Sequence, residues 1–353
     1  MVSEGVSCGW GVYVGLMGPI EQVLLRMAQG YQLSQALYVA AKLGVADVLA
    51  GGALDVDTVA AAVGARSSEL RRVLRALVVA GVFTELEDGR IALNDVAIGL
   101  QADAAGRTRD VVINFGEEMY GAFGELLHTV RTGETAFEKV YGEALFDYYA
   151  SHPVAEASGS ARMAARSLPV TQELVASELA QGISRMVDVG GGTGTVVAAL
   201  LAAHRDLRGV LYERPTVLGL AREYLAAHGV ADRCEVVAGD FFVSVPDGGD
   251  LYLLKSVLHD WDDDRCVTIL RNCRAAMHGA SRLAIVEFVL PEQMTADPVL
   301  LPAALLDLIM LAYAGGRERT KTEFAGLLEQ AGLRLERVSL LEAGPQVLEA
   351  VVA

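Results

Sequence analysis

The chain of 353 residues has little positive charge and few cysteines, and both shortages restrict its function. Lys and Arg number 29 against 45 Asp and Glu, so the formal net charge is -16 at pH 7. This charge argues against a nucleic-acid partner, because phosphate binding needs a basic face. The four cysteines form no C-x-x-C pair. This usage indicates a reducing compartment, hence a cytoplasmic protein, and no metal-ligand spacing is visible.

The sequence also lacks a continuous membrane span, which needs about 20 apolar residues. The N-terminal segment is apolar from Gly5 to Ile20, but glycines and a proline interrupt it and no Lys or Arg precedes Arg26. A signal peptide has a positive front and an unbroken apolar middle. We therefore interpret residues 1–20 as a loose leader and expect no membrane partner.

The hydrophobic pattern changes near residue 180 and predicts two domains. Residues 21–180 read as amphipathic helices, and part of them has the outline of a winged helix, with a hairpin turning at Asp88-Gly89. In residues 181–353 apolar runs alternate with helical segments. This alternation predicts an α/β domain with a mostly parallel, Rossmann-like sheet covered on both faces, ending in a hairpin.

A glycine-rich loop, VDVGGGTGT, follows the first strand of the predicted sheet. Glycines let the backbone approach a ligand closely, and ligands of such sheets lie beyond the carboxyl ends of the strands. The spacing of Gly190, Gly192 and Gly194 lacks the third glycine of the dinucleotide fingerprint G-x-G-x-x-G. It suits a nucleoside cofactor without a pyrophosphate, such as S-adenosylmethionine.

Polar and aromatic residues at the ends of the next two predicted strands agree with a nucleoside. Glu213 ends the second strand, where a carboxylate can hold ribose hydroxyls. Asp240 ends the third strand and can accept the adenine amino group, while Phe241 can cover the ring. Together with the glycines, these residues predict a cofactor cleft at one edge of the sheet.

Five segments carry a resemblance to a known family: VDVGGGTGT, GDFF, LLKSVLHDWDDD, AIVEFVLPE and DLIMLAYAGGRERTKTEF. In order and spacing they resemble the S-adenosylmethionine-dependent O-methyltransferases of the plant caffeate type and their actinomycete counterparts in antibiotic biosynthesis. The resemblance covers nearly the whole chain. It implies a class I methyltransferase domain behind a helical dimerisation domain, and hence a homodimer.

The resemblance also implies residue roles. His259 matches the general base, with Glu287 and Glu318 beside it, and we expect His259 to end a core strand at the ligand cleft. Two carboxylates beside an imidazole favour its protonated form and raise its pKa. Removal of a phenol proton, whose pKa is near ~10, then becomes easier.

The remaining site residues concern the cofactor and the substrate. By resemblance, Lys255 contacts the cofactor, as do the glycines, acids and phenylalanine above, and Asp260 and Met310 lie near the substrate. Met163 could line the substrate pocket, although a helical methionine is more often plain core. Where the family often has Asp-Leu, this chain has Glu213 followed by Arg214.

These observations predict methylation of a hydroxyl, expected to be phenolic, on a small aromatic or polyketide-like metabolite. One alternative keeps the cofactor but replaces methylation by hydroxylation or decarboxylation, and the three residues of the base argue against it. Another is a winged-helix regulator that contacts DNA through Arg71, Arg72 and Arg75. The acidic net charge favours a structural module instead.

Overall fold

The computed structural model describes residues 19–104 and 108–353, and the chain forms two compact units that meet at Glu117 and Glu118. The predicted leader therefore lies almost wholly outside the described residues. The first unit contains α1 (Pro19–Leu43), α2 (Val45–Val48), α3 (Val56–Val63), α4 (Ser67–Val79), β1 (Thr84–Glu85), β2 (Ile91–Ala92), α5 (Asp95–Ile98) and α6 (Thr108–Asn114). A π-helical turn, Phe115–Met119, spans the boundary.

The second unit contains a group of helices followed by the predicted sheet. The helices are α7 (Tyr120–Phe123), α8 (Leu126–Thr132), α9 (Ala136–Tyr141), α10 (Leu145–Ser151) and α11 (Pro153–Ala176). The elements that follow are β3 (Arg185–Val189), α12 (Thr195–Ala203), β4 (Arg208–Glu213), α13 (Leu218–Ala227), β5 (Cys234–Ala238), β6 (Leu251–Lys255), α14 (Asp263–Ala276), β7 (Arg282–Glu287), β8 (Val289–Leu290), α15 (Leu301–Tyr313), β9 (Arg319–Thr320), α16 (Lys321–Gln330), β10 (Leu333–Leu340) and β11 (Gln346–Val352).

The first unit is built around one apolar cluster. In α4, Leu70, Leu74 and Leu77 recur at helical spacing and are buried. β1 and β2 pair antiparallel, which confirms the predicted hairpin. By contrast, α1 exposes several large apolar side chains to solvent: Val23, Leu24, Met27, Tyr31 and Leu33. A helix with such a face needs a further partner to bury it.

Seven strands of the second unit form one sheet in the order β10-β11-β7-β6-β3-β4-β5. β3 to β7 pair parallel, whereas β11 is antiparallel to both β7 and β10. The predicted parallel sheet and terminal hairpin are both confirmed. Side chains of a strand alternate between the two faces. In β3, accordingly, Val187 and Val189 join one hydrophobic cluster while Met186 joins the other.

The boundary between the compact units differs from the predicted domain boundary near residue 180. Residues 118–180 belong to the unit that contains the sheet. Phe137 of α9, for example, packs in one cluster with Ile309 and Met310 of α15, and Leu174 of α11 packs with residues of α12. Amphipathic periodicity identifies a helix but not the surface on which it packs.

Within residues 19–104 and 108–353, no single helix has the length and apolar composition to cross a membrane. One bent pair, Glu21–Leu43 with Val45–Gly51, reaches that length and composition. Cys234, Cys266 and Cys273 are free and buried.

Candidate active site

The glycine-rich loop connects β3 to α12 and brings backbone to the end of the sheet. Gly190, Gly192 and Gly194 have φ values of 69°, 59° and 83°, a left-handed conformation that L side chains rarely adopt. Gly190 and Gly192 line a cavity of about 440 Å³. Gly194 is not among its lining residues: it is the N-cap of α12, and a Cβ there would lie 3.2 Å from Leu211. Its role is therefore close packing of helix on strand.

The other residues predicted to bind the cofactor surround the same cavity. Glu213, Asp240, Phe241 and Lys255 all line it. Glu213 lies at the end of β4, where its Oε2 accepts a hydrogen bond from the Gly192 amide at 3.0 Å. Asp240 lies two residues beyond β5, and its carboxylate accepts from the Phe242 amide. The structure therefore brings together the sequence motifs on which the cofactor prediction rests.

Asp188 is a cavity residue that the sequence reasoning missed. Its side chain lies on β3, is 2% exposed, and leaves Oδ2 without a hydrogen-bond partner. Burial and the charge of Glu213 raise the pKa of Asp188 to about 7, against the charge of Lys255, which lowers it. The signal in the sequence was an acid inside an apolar strand, two residues before the first glycine of the loop.

A second, smaller cavity of about 160 Å³ adjoins the first. Phe146, Met163, Lys255 and Asp260 are among the residues that line both cavities. Its other walls are largely apolar and come from β7, α11, α15 and the loop before β11. The predicted substrate residues Asp260, Met310 and Met163 all line it, as does His259. We call the larger space the cofactor cavity and the smaller one the acceptor cavity.

His259 does not lie at the end of a strand, contrary to our expectation. β6 stops at Lys255, and Ser256 adopts φ 53°, a left-handed conformation that ends the strand. His259 follows in a short 3-10 turn, Leu258–Asp260, and is 5% exposed. A left-handed serine has no clear sequence signature, so the turn could not be foreseen.

Glu287 stabilises this turn by hydrogen bonds and also places a carboxylate beside the imidazole. Its Oε1 accepts hydrogen bonds from the amides of Val257 and Leu258, both at 2.9 Å, and from the His259 amide at 3.4 Å. The carboxylate ends β7 and is 1% exposed. Because one oxygen binds successive backbone N–H groups, it fixes the start of the turn as a helix cap does.

The imidazole of His259 is surrounded by three carboxylates. Nδ1 lies 2.8 Å from Glu318 Oε1 and 3.4 Å from Glu287 Oε2, and Nε2 lies 3.7 Å from Asp260 Oδ1. Burial by itself would lower the pKa of His259. The charges of Glu287 and Asp260 and the hydrogen bond with Glu318 outweigh burial and raise that pKa from 6.5 to about 10. Burial also raises the pKa of Glu287.

Arg319 and Gly316 lie against the backbone of the turn that carries His259. The sequence analysis identified neither of them. Arg319 is fully buried, and its guanidinium donates to the carbonyls of Leu258 at 3.0 Å and Trp261 at 2.7 Å. A Cβ at Gly316 would collide with the carbonyl oxygen of His259. The GGRERT segment therefore supplies Glu318 to the imidazole and also holds the backbone that carries it.

His259, Glu287 and Glu318 are also close enough to ligate a metal ion, since their donor atoms lie within 4.8 Å of one another. Their observed contacts are hydrogen bonds, as in a cluster where an imidazole and carboxylates share protons. Nδ1 hydrogen-bonds with Glu318, and Oε1 of Glu287 accepts three backbone amides.

The residues of the cofactor cavity suit S-adenosylmethionine by their charge. The cofactor carries positive charge at its sulfonium and its ammonium, and three acids line the cavity: Asp188, Glu213 and Asp240. At Gly191, on the cavity wall, a Cβ would lie 2.6 Å from the Asp188 carboxylate. Only glycine lets the backbone approach that carboxylate so closely.

Comparison with known proteins gives the family. The model of the O-methyltransferase domain matches residues 123–334, and that of the O-methyltransferase dimerisation domain matches residues 25–107. The chain is 42% identical over 332 residues to the phenazine O-methyltransferase of Lysobacter antibioticus, covering 94% of this chain and 96% of the relative. Relatives that methylate nitrogen also occur, including the phenazine-1-carboxylate N-methyltransferase of Pseudomonas aeruginosa, which is 33% identical over 89% of this chain and 92% of its own.

Two solved structures are similar over almost their full length. The mitomycin 7-O-methyltransferase superposes with a TM-score of 0.90 at 37% identity, covering 98% of this chain and 100% of that one. An O-methyltransferase of neocarzinostatin biosynthesis, solved with S-adenosylmethionine and 2-hydroxy-5-methyl naphthoic acid, gives 0.81 at 33% identity and covers 91% and 96%. The chain therefore belongs to the S-adenosylmethionine-dependent O-methyltransferases.

Proposed function

We propose that this enzyme methylates a phenolic hydroxyl of a small planar metabolite, with His259 as the general base beside that hydroxyl. The observation that carries the proposal is the placement of His259 between a buried carboxylate and the acceptor cavity. Nδ1 is engaged by Glu318, which lines neither cavity, so Nε2 is the nitrogen left for an acceptor. S-adenosylmethionine, when bound in the adjoining cavity, supplies an electrophilic methyl group.

The raised pKa of His259 suits a phenol. A free imidazole has a pKa near ~6.5 and a phenol near ~10, so an unassisted histidine is a poor base for this proton. At a pKa of about 10, the imidazole of His259 matches the phenol. The proton can then pass between the hydroxyl oxygen and Nε2 at little cost in free energy. Glu287, Glu318 and Asp260 balance the positive charge that the imidazole then carries.

The protonation state of the complex follows from this match. One proton is shared between the imidazole and the acceptor oxygen, and imidazolium with phenolate has the same net protonation as imidazole with phenol. Because His259 with a pKa of about 10 already holds a proton at neutral pH, the acceptor reaches this state there by binding as its phenolate, and a hydroxyl more acidic than a simple phenol does so more readily. We expect such acceptors, for example hydroxyls conjugated to a carbonyl or a heteroaromatic ring, to be the better substrates.

The size and walls of the acceptor cavity support a flat aromatic acceptor. About 160 Å³ is enclosed by apolar side chains, among them Met163, Phe288 and Met310. Three similar relatives are named for phenazine, for mitomycin biosynthesis and for a dihydroxy-methyl-naphthoate. We assign this chain an acceptor of that general kind.

The test is a methyl-transfer screen with S-adenosylmethionine and a panel of phenols, naphthols and hydroxyphenazines, read by mass spectrometry of the products. We expect a mass gain of one methyl on oxygen. His259→Gln should lower kcat by at least about a hundredfold, the usual contribution of a general base. A variant with near-normal turnover would remove His259 from the chemistry.

A second candidate is methylation of an aromatic amine, because two relatives over 30% identical methylate nitrogen. The neutral nitrogen of an arylamine attacks through its own lone pair and releases its proton after the methyl group has been transferred, so it needs no base before attack. A matched pair of acceptors, such as a hydroxyphenazine and an aminophenazine, distinguishes the two reactions. If only the amine is methylated, and His259→Gln leaves that rate unchanged, nitrogen is the acceptor.

We also propose that the first unit makes the enzyme a homodimer. The matched dimerisation domain covers residues 25–107, and α1 exposes Val23, Leu24, Met27 and Tyr31 in the same unit. A second copy is the partner that would bury this face. Light scattering that gives the mass of one chain at micromolar concentration would contradict the proposal.

A further inference from the structure

Arg214 connects the carboxyl end of the sheet to two helices. It follows Glu213 and lines the cofactor cavity. Its Nη2 lies 3.3 Å from Glu156 Oε1 on α11, and its Nη1 donates to the carbonyl of Phe146 on α10 at 3.4 Å. The guanidinium carbon also lies 5.1 Å from the centroid of the Phe146 ring. That distance is within the range of about 6 Å for a cation–π contact.

The partner carboxylate is buried and depends on this contact. Glu156 is 7% exposed, and Thr216 donates a second hydrogen bond to the same Oε1 at 3.1 Å. A buried carboxylate is stable only when a cation and hydrogen bonds replace its water. Arg214 supplies the cation, so its loss would leave a buried charge and drive the start of α11 away from the sheet.

The two helices held by Arg214 form a wall of both cavities. Phe146 and Tyr149 of α10, and Met163 and Ser167 of α11, line the cofactor cavity and the acceptor cavity alike. Phe146 also stacks on Trp261, with ring centroids 5.1 Å apart. A shift of these helices would therefore change a wall that both cavities share, and it would change the acceptor cavity even though Arg214 does not line that cavity.

We propose that Arg214 is a positioning residue that holds α10 and α11 against the cofactor site and so keeps the acceptor cavity in its binding shape while the cofactor is present. Glu213 and Arg214 are neighbours in the chain, so the residue that contacts the two helices directly follows a residue that lines the cofactor cavity. This inference goes beyond the proposed reaction. It requires the cofactor site but no particular acceptor.

The first experiment needs no acceptor. Hydrogen exchange is measured at saturating S-adenosylhomocysteine in the wild type, in Arg214→Leu and in Arg214→Lys. We expect Arg214→Leu to bind S-adenosylhomocysteine within about threefold of the wild type, because the glycine loop, Glu213 and Asp240 line the cofactor cavity from the sheet and not from these helices. It should nevertheless exchange the amides of α10 and α11 at least about tenfold faster, since a charge-assisted contact is lost. The lysine variant keeps the positive charge but lacks the planar guanidinium and its contact with the Phe146 ring. Its exchange rate should lie between those of the wild type and Arg214→Leu.

The matched control is Arg222→Leu, which removes an exposed arginine of α13 that lines neither cavity. It should exchange as the wild type does. The proposal is overturned if Arg214→Leu leaves the exchange of α10 and α11 unchanged, or if it weakens S-adenosylhomocysteine binding more than tenfold, which would make Arg214 a cofactor ligand. Should the leucine variant fail to fold, the lysine variant and Glu156→Gln carry the same comparison.

The second experiment uses an acceptor from the methyl-transfer screen. Arg214→Leu should raise the KM for the acceptor about tenfold, change the KM for S-adenosylmethionine by less than about threefold, and leave kcat at saturation within about threefold. Arg214→Leu combined with Glu156→Gln should be no worse than Arg214→Leu alone, because the two residues act as one contact. An equal rise in both KM values would overturn the proposal. A screen that gives no product would count against the proposed reaction but would not affect the hydrogen-exchange result.

Discussion

Oε1 of Glu318 lies 2.8 Å from Nδ1 of His259, and the histidine lines the acceptor cavity. The side chain of Glu318 is completely buried, and the histidine side chain is 6% exposed. In the proposed reaction this carboxylate orients the ring and holds a proton on Nδ1, which leaves Nε2 for the acceptor. The basicity of the histidine is therefore set from the protein interior, and removal of the carboxylate should change it without touching the acceptor.

The first prediction concerns Glu318→Gln, which keeps the shape of the side chain but removes its charge. The raised pKa of His259 depends in part on Glu318, so the variant should have a lower histidine pKa. In the wild type the pH profile of kcat should be bell-shaped, with its alkaline limb near the histidine pKa of about 10 and its acid limb following the acceptor hydroxyl. In the variant the alkaline limb moves to lower pH, and kcat falls by about tenfold or more.

The measurement is the pH dependence of kcat for two acceptors whose hydroxyl pKa values differ by about two units. An acid limb that stays at one pH for both acceptors would contradict the shared-proton scheme. The conservative control is Glu323→Gln, which removes an acid from the capping box of α16, outside the lining of either cavity. It should leave both limbs in place.

The second prediction is the pH dependence of stability without ligands. The pKa of His259 is raised from 6.5 in the unfolded chain to about 10 in the fold, so the folded state binds more protons between these values. Stability from this group is complete below pH 6.5 and is lost as pH rises toward 10, by at most about 1.4 kcal/mol per pH unit. The free energy of unfolding of the wild type minus that of His259→Gln should decline over this window. A flat difference would show that the imidazole is not held as a cation.

Sequence patterns predicted the sheet and its ligand edge because both depend on local signals. Apolar runs that alternate with helices, and glycines after the first strand, need no knowledge of distant contacts. The resemblance also identified His259, Glu287 and Glu318, and the structure brings these three together. The family match likewise gives no support to the regulator or to the non-methylating alternative, since the models that match are those of methyltransferase domains.

The parts that could not be predicted depend on tertiary packing. Arg319 reads as one more surface arginine until the fold buries it against the carbonyls of Leu258 and Trp261. In the sequence Asp188 is one residue of a strand, and only the fold shows that the backbone at Gly191 packs against its carboxylate. Residues 118–180 read as part of the front domain because helical periodicity does not say that Phe137 packs against α15.

The third prediction tests the backbone contact beneath His259. Gly316→Ala introduces a Cβ that meets the His259 carbonyl and lies 2.6 Å from the Trp261 amide nitrogen, and these are backbone atoms that cannot rotate away. We expect a loss of about 1–3 kcal/mol in the free energy of unfolding and a loss of up to about a hundredfold in kcat, because the base is displaced. Denaturant unfolding and steady-state kinetics measure the two effects.

Gly326→Ala is the matched control for this substitution. Gly326 lies inside α16, and a Cβ there meets nothing within 4 Å. Alanine should stabilise the helix by about 0.5–1 kcal/mol, since it restricts the unfolded chain, and leave kcat unchanged. If both alanine variants behave alike, the close approach of Gly316 to the histidine turn is not a constraint on the site.

The last prediction concerns Asp188 and the affinity for the cofactor. Its pKa is raised to about 7, mainly by burial, so the carboxyl is largely neutral below pH 6 and largely charged above pH 8. Only the charged form attracts a cationic ligand, and a bound cation lowers the carboxyl pKa in turn. The Kd for S-adenosylmethionine should therefore decrease as pH rises from 6 to 8, by at most about tenfold per pH unit. Asp188→Asn should bind more weakly at pH 8 and lose most of this dependence, and isothermal calorimetry at several pH values measures both. S-adenosylhomocysteine, which lacks the sulfonium charge, should show a weaker dependence in the wild type, and an equal dependence for the two ligands would mean that the carboxylate of Asp188 does not respond to the sulfonium.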